Sequence, residues 1–64
     1  MWQMFFIAKA GHRMYKTEKG HWLPERMLEM NRDRIKIWKT ERWAVKAQEL
    51  VCSYGYYKVE IEKI

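Results

Sequence analysis

Cysteine, proline and glycine are scarce in this sequence, which holds one cysteine (Cys52), one proline (Pro24) and three glycines. A single thiol excludes an internal disulfide, whereas secreted domains of this size usually carry several. No basic segment precedes the short apolar run at the N-terminus, and no stretch approaches the roughly 20 apolar residues that span a bilayer. We therefore expect a chain without a signal peptide or membrane segment, located in a reducing cytoplasm.

Motifs for catalysis and for metal binding are also missing. The three glycines do not form a phosphate-binding loop, and no Ser/His/Asp arrangement is recognisable. His12, His21 and Cys52 lack the paired spacing of a structural zinc site, and nothing supplies Cys52 with the adjacent base that a catalytic thiol needs. Because 64 residues also rarely enclose a substrate cleft, we predict a non-enzyme with no catalytic residues, no metal and no cofactor.

Aromatic and basic residues, by contrast, are plentiful. Hydrophobic residues make up 48% of the chain and aromatic residues 16%, which suits the core of a single small domain spanning residues 1–64. The net charge of +5 is concentrated between residues 32 and 46, where six Lys/Arg face two Asp/Glu. A basic excess favours anionic partners such as nucleic acid or an acidic protein surface. A solvated basic surface without a partner is the alternative.

The N-terminal residues predict a β-hairpin. Within 2–10 the two alternating faces are both largely apolar, and they consist of Trp2, Met4, Phe6 and Ala8 on one side and Gln3, Phe5, Ile7 and Lys9 on the other. Such a strand has neighbours on both sides and cover above and below. Gly11 supplies the turn, and residues 13–18 return as the second arm. Residues 20–31 form either a turn or two of helix beginning at Pro24 or a packed loop.

The remaining residues predict a strand, a helix and a closing strand. Ile35 and Ile37 alternate with Arg34, Lys36 and Trp38 in the first strand, at 34–39. Thr40 is a favourable N-cap, and Gly55 is the residue type expected just after a helix. Apolar residues that gather on one side of this helix, and that we expect to be buried, are Trp43, Ala47, Leu50, Val51 and Tyr54, with Ala44 at the edge. Alternation returns at 56–63.

These elements predict an α+β fold. The N-terminal hairpin and the strand-helix-strand unit form a small three- or four-stranded mixed sheet, and the one main helix packs on one face of it. The two C-terminal strands are either adjacent and parallel, or they flank the apolar first strand. We favour the second arrangement because the first strand has the character of a central one, and we expect Ile35, Ile37, Val59 and Ile61 to face the helix.

The second half of the chain resembles many small uncharacterised proteins of phages and prophages. The resemblance covers residues 34–64, in which a strand leads through "KT" into a helix with closely spaced alanines, a glycine and a final strand. The matching residues are Trp38, Lys39, Thr40, Ala44, Ala47, Val59 and Ile61. The resemblance implies a phage accessory role and no chemistry.

Two sets of residues are candidate binding groups. On the sheet face predicted to lie opposite the helix, cations alternate with aromatic rings, and these residues are Arg34, Lys36, Trp38, Tyr56 and Lys58. Cations neutralise phosphates and rings stack on bases, so such a face suits single-stranded nucleic acid. Alternatively, Trp38 and Tyr56 pack under residues 20–31. Arg42 and Lys46 lie one turn apart on the helix flank, where they either contact an anionic partner or are simply solvated.

We therefore predict a non-enzymatic binding protein, with two alternatives for its partner. One is a phage-type inhibitor of a host protein or ribonucleoprotein defence complex, anti-CRISPR-like by analogy, because Trp, Tyr and Arg dominate interface hot spots. The other is direct binding of nucleic acid through the basic aromatic sheet face. A homodimer that pairs through the C-terminal strand is a further expectation, since an edge strand offers unpaired backbone groups.

Overall fold

The computed structural model describes residues 1–55 and 58–64 and shows a four-stranded sheet with one main helix. The elements in chain order are strands β1 (Trp2–Ile7), β2 (Arg13–Lys16) and β3 (Trp22–Pro24), two short 3₁₀ helices (Glu25–Met27 and Glu29–Arg34), helix α1 (Glu41–Ser53) and strand β4 (Glu60–Lys63). The strand order is β3-β2-β1-β4, and every pairing between neighbours is antiparallel. The predicted α+β class with one main helix on a small sheet is confirmed, whereas the expected mixed sheet is antiparallel instead.

Strand β1 is central and covered on both faces, as its apolar alternation predicts. Phe5 pairs with Tyr15 of β2 on one side and with Glu60 of β4 on the other. The β1–β2 turn closes with a hydrogen bond from the Ala8 N–H to the His12 carbonyl at 2.8 Å. Gly11 has a φ of 91° in this turn, a conformation that L-residues with a side chain rarely adopt. The predicted N-terminal hairpin is confirmed.

Helix α1 begins and ends where the sequence predicts. The Thr40 hydroxyl oxygen accepts a hydrogen bond from the Trp43 N–H at 3.4 Å, which satisfies one of the free donors of the first turn. At the other end Gly55 has a φ of 85°, and its N–H donates to the Cys52 carbonyl at 3.1 Å. No helix in residues 1–55 and 58–64 is long and apolar enough to cross a membrane.

The helix packs on β1 and β4 and closes the helix-side core. The buried residues of this core are Met4, Val51 and Val59, and the partly buried residues packed against them are Phe6, Trp22, Trp38, Ala47 and Ile61. Gln48 ties the helix to the approach of β4, since its side-chain amide donates to the Val59 carbonyl at 2.7 Å. The predicted direction of Val59 and Ile61 toward the helix is confirmed.

The opposite core lies on the other face of the sheet. Its buried residues are Phe5, Tyr15 and Ile35, and the partly buried residues packed against them are Leu23, Leu28 and Ile37. Cover on this face therefore comes from Leu28, between the two 3₁₀ helices, and from the extended residues that follow the second one.

The prediction of a sheet strand at 34–39 is wrong. Residue 34 ends a 3₁₀ helix, and the extended residues after it form isolated bridges, from Ile35 to Thr17 and from Trp38 to Trp2. The segment thus links the end of β2 to the start of β1 and does not run beside β4. Because the chain arrives from the side opposite α1, Ile35 and Ile37 face away from the helix, and Trp38 packs on the helix side. The predicted assignment of faces is reversed for these three residues.

Candidate functional site

The outward side of α1 carries three large hydrophobic side chains in solvent. Trp43 is 60% exposed, Leu50 56% and Tyr54 69%. Together with the half-buried Ala47 they follow one another at intervals of four, three and four residues, which places them in one row along the helix. We call these four residues the outer stripe. The prediction that Trp43, Leu50 and Tyr54 are buried is wrong.

The outer stripe is exposed because the helix meets the sheet through its smaller residues. Ala44 is fully buried and Val51 is 8% exposed. Ala44 has no side chain beyond Cβ, so the helix backbone can approach the sheet closely at this point. The residue that the sequence places at the edge of the apolar arc is therefore at its buried centre. The larger residues of the arc are turned outward.

One cation, Lys46, adjoins the outer stripe. Lys46 lies three residues after Trp43 and four before Leu50, so it neighbours both on the helix surface. Its ammonium lies 5.3 Å from the centroid of the Trp43 ring, within cation–π range. Arg42 is exposed one turn before Lys46. The structure thus places the predicted binding residue Lys46 beside aromatic and aliphatic groups that the sequence analysis assigned to the core, and it leaves Arg42 exposed on the same helix.

The sheet face opposite the helix is not the basic aromatic surface predicted for it. The Arg13 guanidinium carbon lies 4.2 Å from the Phe5 ring centroid, and Arg13 donates to Glu62 at 2.9 Å and to the Tyr15 hydroxyl at 3.4 Å. Gln3 donates to the other oxygen of the same carboxylate at 2.6 Å. Hydrogen bonds to Tyr15 and Glu62 raise the pKa of Arg13 above its ordinary value, and these contacts occupy the guanidinium within the protein.

The predicted members of that surface are scattered. Trp38 is half-buried on the helix side, with the Lys36 ammonium 5.9 Å from its ring centroid. Arg34 is exposed, and its guanidinium donates to the Asn31 side chain at 3.4 Å. Lys58 is exposed at the far end of β1, in a shallow groove with Lys9 and Ile7. Tyr56 lies outside the described residues.

A second lysine–tryptophan pair lies on the helix side of the sheet. The Lys16 ammonium is 5.0 Å from the Trp22 ring centroid. The Phe6 ring meets Trp22 edge to face, with centroids 4.8 Å apart and planes at 82°. The sequence analysis assigned no role to Lys16 or Trp22. The pairing of β2 with β3, which sets Lys16 opposite Trp22, is what brings them together.

The cysteine and the acidic residues do not add a chemical centre to these surfaces. Cys52 is a free, exposed thiol near the end of α1. Within residues 1–55 and 58–64, no group of three or more His, Cys, Asp or Glu side chains is arranged to hold a metal ion.

The chain matches no protein family, and no curated protein and no solved structure is significantly similar to it.

Proposed function

We propose that this chain is a non-enzymatic binding protein that docks a partner protein on the outer stripe of α1. The observation that carries the proposal is the exposure of Trp43, Leu50 and Tyr54 beside a helix that is fixed to the sheet through Ala44 and Val51. Trp and Tyr are the residues that most often dominate interface energies. Each aromatic ring buries about 150–250 Å² when covered, so the stripe supplies the centre of an interface of about 800 Å² per partner.

The spacing of the outer stripe favours a partner that presents an apolar helix. Intervals of four, three and four residues are those of the contact seam between packed helices, where each large side chain enters a hole on the facing helix. Ala47 lies in the middle of this row. Ala47 itself packs against the helix-side core, so a partner helix would contact mainly the exposed Trp43, Leu50 and Tyr54 around it.

The one lysine beside the outer stripe favours a carboxylate on the partner beside its apolar row. Lys46 adjoins the stripe, and in helix pairs residues at this position form ion pairs across the seam. In an antiparallel pair of two copies of this chain, Lys46 would face Ser53 of the second copy and find no carboxylate. An acidic partner of different sequence therefore suits the stripe better than self-association does.

The biological role that we propose for this binder follows the resemblance to phage accessory proteins. Docking on a host protein or on a ribonucleoprotein defence complex would block the surface that it occupies, and it requires no catalysis by this chain. The exposed free thiol of Cys52 suits a reducing cytoplasm.

The alternative of a homodimer through the C-terminal strand has weaker support. Strand β4 is an edge of the sheet, so it has one side available for pairing. However, Glu60, Glu62 and Lys63 make three of its four residues charged, and charged edges discourage strand addition.

The test compares capture by three immobilised forms of the full chain from a nuclease-treated host-cell lysate. These are the wild type, Trp43→Gln/Leu50→Gln, and the control Cys52→Ser, which changes an exposed residue of the same helix away from the stripe. We expect the wild type and the control to capture a protein from the lysate that the double variant does not capture. In titrations with the purified partner, the double variant should bind at least about 30-fold more weakly, as for the loss of a hot spot of 2 kcal/mol.

Equal capture by all three forms would show that the outer stripe is not the docking site. Sedimentation at about 100 µM tests whether a second copy of this chain, and not a different protein, occupies the outer stripe. A wild-type dimer that the double variant abolishes would assign the stripe to a second copy of this chain and overturn the proposal of a different partner.

A further inference from the structure

On the helix side of the sheet, two tryptophans each have a ring that is held in place and a lysine ammonium near the ring face. Trp22 and Trp38 both pack against the helix-side core and are half-buried, so their indoles are held in place. Lys16 and Lys36 lie 5.0 and 5.9 Å from the respective ring centroids. We call these four residues the lysine–tryptophan surface. It is separate from the outer stripe, whose residues lie on α1 and at its C-cap, Tyr54.

The backbone brings the two lysines next to each other. The Lys36 N–H donates to the Lys16 carbonyl at 2.9 Å, and the Glu18 N–H donates to the Arg34 carbonyl at 3.0 Å. Segments 16–19 and 32–39 therefore meet at one end of the sheet. Together they contribute six cations, which are Lys16, Lys19, Arg32, Arg34, Lys36 and Lys39.

Only two carboxylates, Glu18 and Asp33, belong to these segments, which gives the two segments together a formal charge of +4. Helix α1, by comparison, holds Arg42 and Lys46 against Glu41 and Glu49 and is formally neutral. The basic excess of the chain is thus concentrated around the lysine–tryptophan surface and not around the outer stripe. The two surfaces differ in the kind of partner that their charge can attract.

We propose that the lysine–tryptophan surface binds single-stranded nucleic acid, an activity beyond the docking of a partner protein. A base stacks on the exposed part of an indole and displaces the lysine ammonium, which then pairs with the adjoining phosphate. Stacking of this kind tolerates any base, and the surrounding cations track the backbone. Single strands are favoured over duplex because only unpaired bases expose a face to a ring that is fixed within a sheet surface.

The test measures binding of a fluorescein-labelled 12-nucleotide oligothymidylate by anisotropy at 50, 100 and 200 mM NaCl. The charge variant is Lys16→Gln/Lys36→Gln. The matched control is Lys9→Gln/Lys58→Gln, which removes two lysines from the groove at the other end of β1. Each phosphate contact on a single strand contributes about 0.7 to the slope of log affinity against log salt. The charge variant should therefore lose about 1.4 from that slope and bind about 25-fold more weakly at 0.1 M salt, whereas the control should change less than threefold.

The contribution of the rings is tested by Trp38→Leu, with circular dichroism to confirm folding. Loss of one stacked base should weaken binding about 5- to 150-fold without changing the salt slope, as for stacking worth about 1–3 kcal/mol. If this variant unfolds, quenching of tryptophan emission by the oligonucleotide in Trp43→Gln reports stacking on the remaining indoles. Strong quenching supports the proposal, and unchanged emission contradicts it.

Three further results would overturn the proposal. The first is no binding at 50 mM NaCl, and the second is equal loss of affinity in the charge variant and its control. The third is binding of polyglutamate as tight as that of the oligonucleotide, which would assign the surface to acidic protein. A duplex competitor should be at least tenfold weaker than the single strand; equal competition would show that phosphates alone are recognised.

Discussion

The buried and the exposed apolar residues of α1 differ in size. The inward side meets the sheet through Ala44 and Val51, which are buried. The outward side presents Trp43, Leu50 and Tyr54, each more than half exposed. In an ordinary amphipathic helix the largest apolar residues face the core, because they gain most from leaving water.

This difference separates what holds the domain together from what is available to a partner. The core under the helix is supplied mainly by the sheet, with Met4 and Val59 almost completely buried. The helix contributes small surfaces that fit closely and a hydrogen bond from Gln48 to the Val59 carbonyl. The large residues on the outer side therefore contribute little buried surface to the core.

The largest expected effect is at the point where the helix-side core is deepest. Met4→Ala should lower the free energy of unfolding by about 2–5 kcal/mol, because it leaves a cavity under α1 that rigid neighbours cannot fill. Met30 is 89% exposed, so Met30→Ala makes the same chemical change in solvent and should alter stability by less than about 0.5 kcal/mol. Urea unfolding of both variants measures the difference. Equal midpoints would mean that the helix does not pack on β1 as described.

A smaller effect is expected where the helix lies closest to the sheet. Ala44→Leu adds three carbons at a fully buried position, and the resulting strain should cost about 1–3 kcal/mol. Glu49→Leu introduces the same residue on the exposed surface of the helix and serves as the control, with an expected change below about 0.5 kcal/mol. Thermal unfolding followed by circular dichroism compares them. A stability of Ala44→Leu equal to that of the control would contradict close approach at this residue.

The elements that local chemistry defines could be predicted from the sequence. Alternation on both faces identified β1 as the central strand, and Gly11 located its turn. Thr40 and Gly55 gave both ends of α1, because capping and positive φ depend on residues within a few positions. The alternation of Val59 and Ile61 gave the inward face of β4.

The sequence could not show which segments of the chain pack against each other. The alternation of Ile35 and Ile37 is typical of a sheet strand. An extended segment that makes only two isolated bridges has the same alternation, so the pattern does not distinguish the two. The sheet face on which this extended segment lies is set by the two 3₁₀ helices, which carry the chain to the face opposite α1. Strand β3 was missed because it has three residues and ends at Pro24.

The candidate site was predicted in part for a related reason. Arg42 and Lys46 were identified from charge alone, whereas Trp43, Leu50 and Tyr54 were assigned to the core because their spacing is helical. An apolar arc on a helix shows which residues are hydrophobic. It does not show how much of the arc a small sheet can cover. The presence of Ala44 and Ala47 on one flank of the arc was the available signal, since small residues permit the closest packing.

The smallest expected effect tests the two sides of α1 at adjacent positions. Leu50→Gln exchanges a 56% exposed side chain for one of similar helix propensity, so the free energy of unfolding should change by no more than about 0.5 kcal/mol. Val51→Gln forces an amide into the helix-side core, where an unpaired polar group costs about 1–3 kcal/mol in addition to the lost packing. Urea unfolding of the two variants under identical conditions gives their difference directly. If Leu50→Gln were as destabilising as Val51→Gln, the outer stripe would be covered in the folded protein. It would then have no free surface on which a partner could dock.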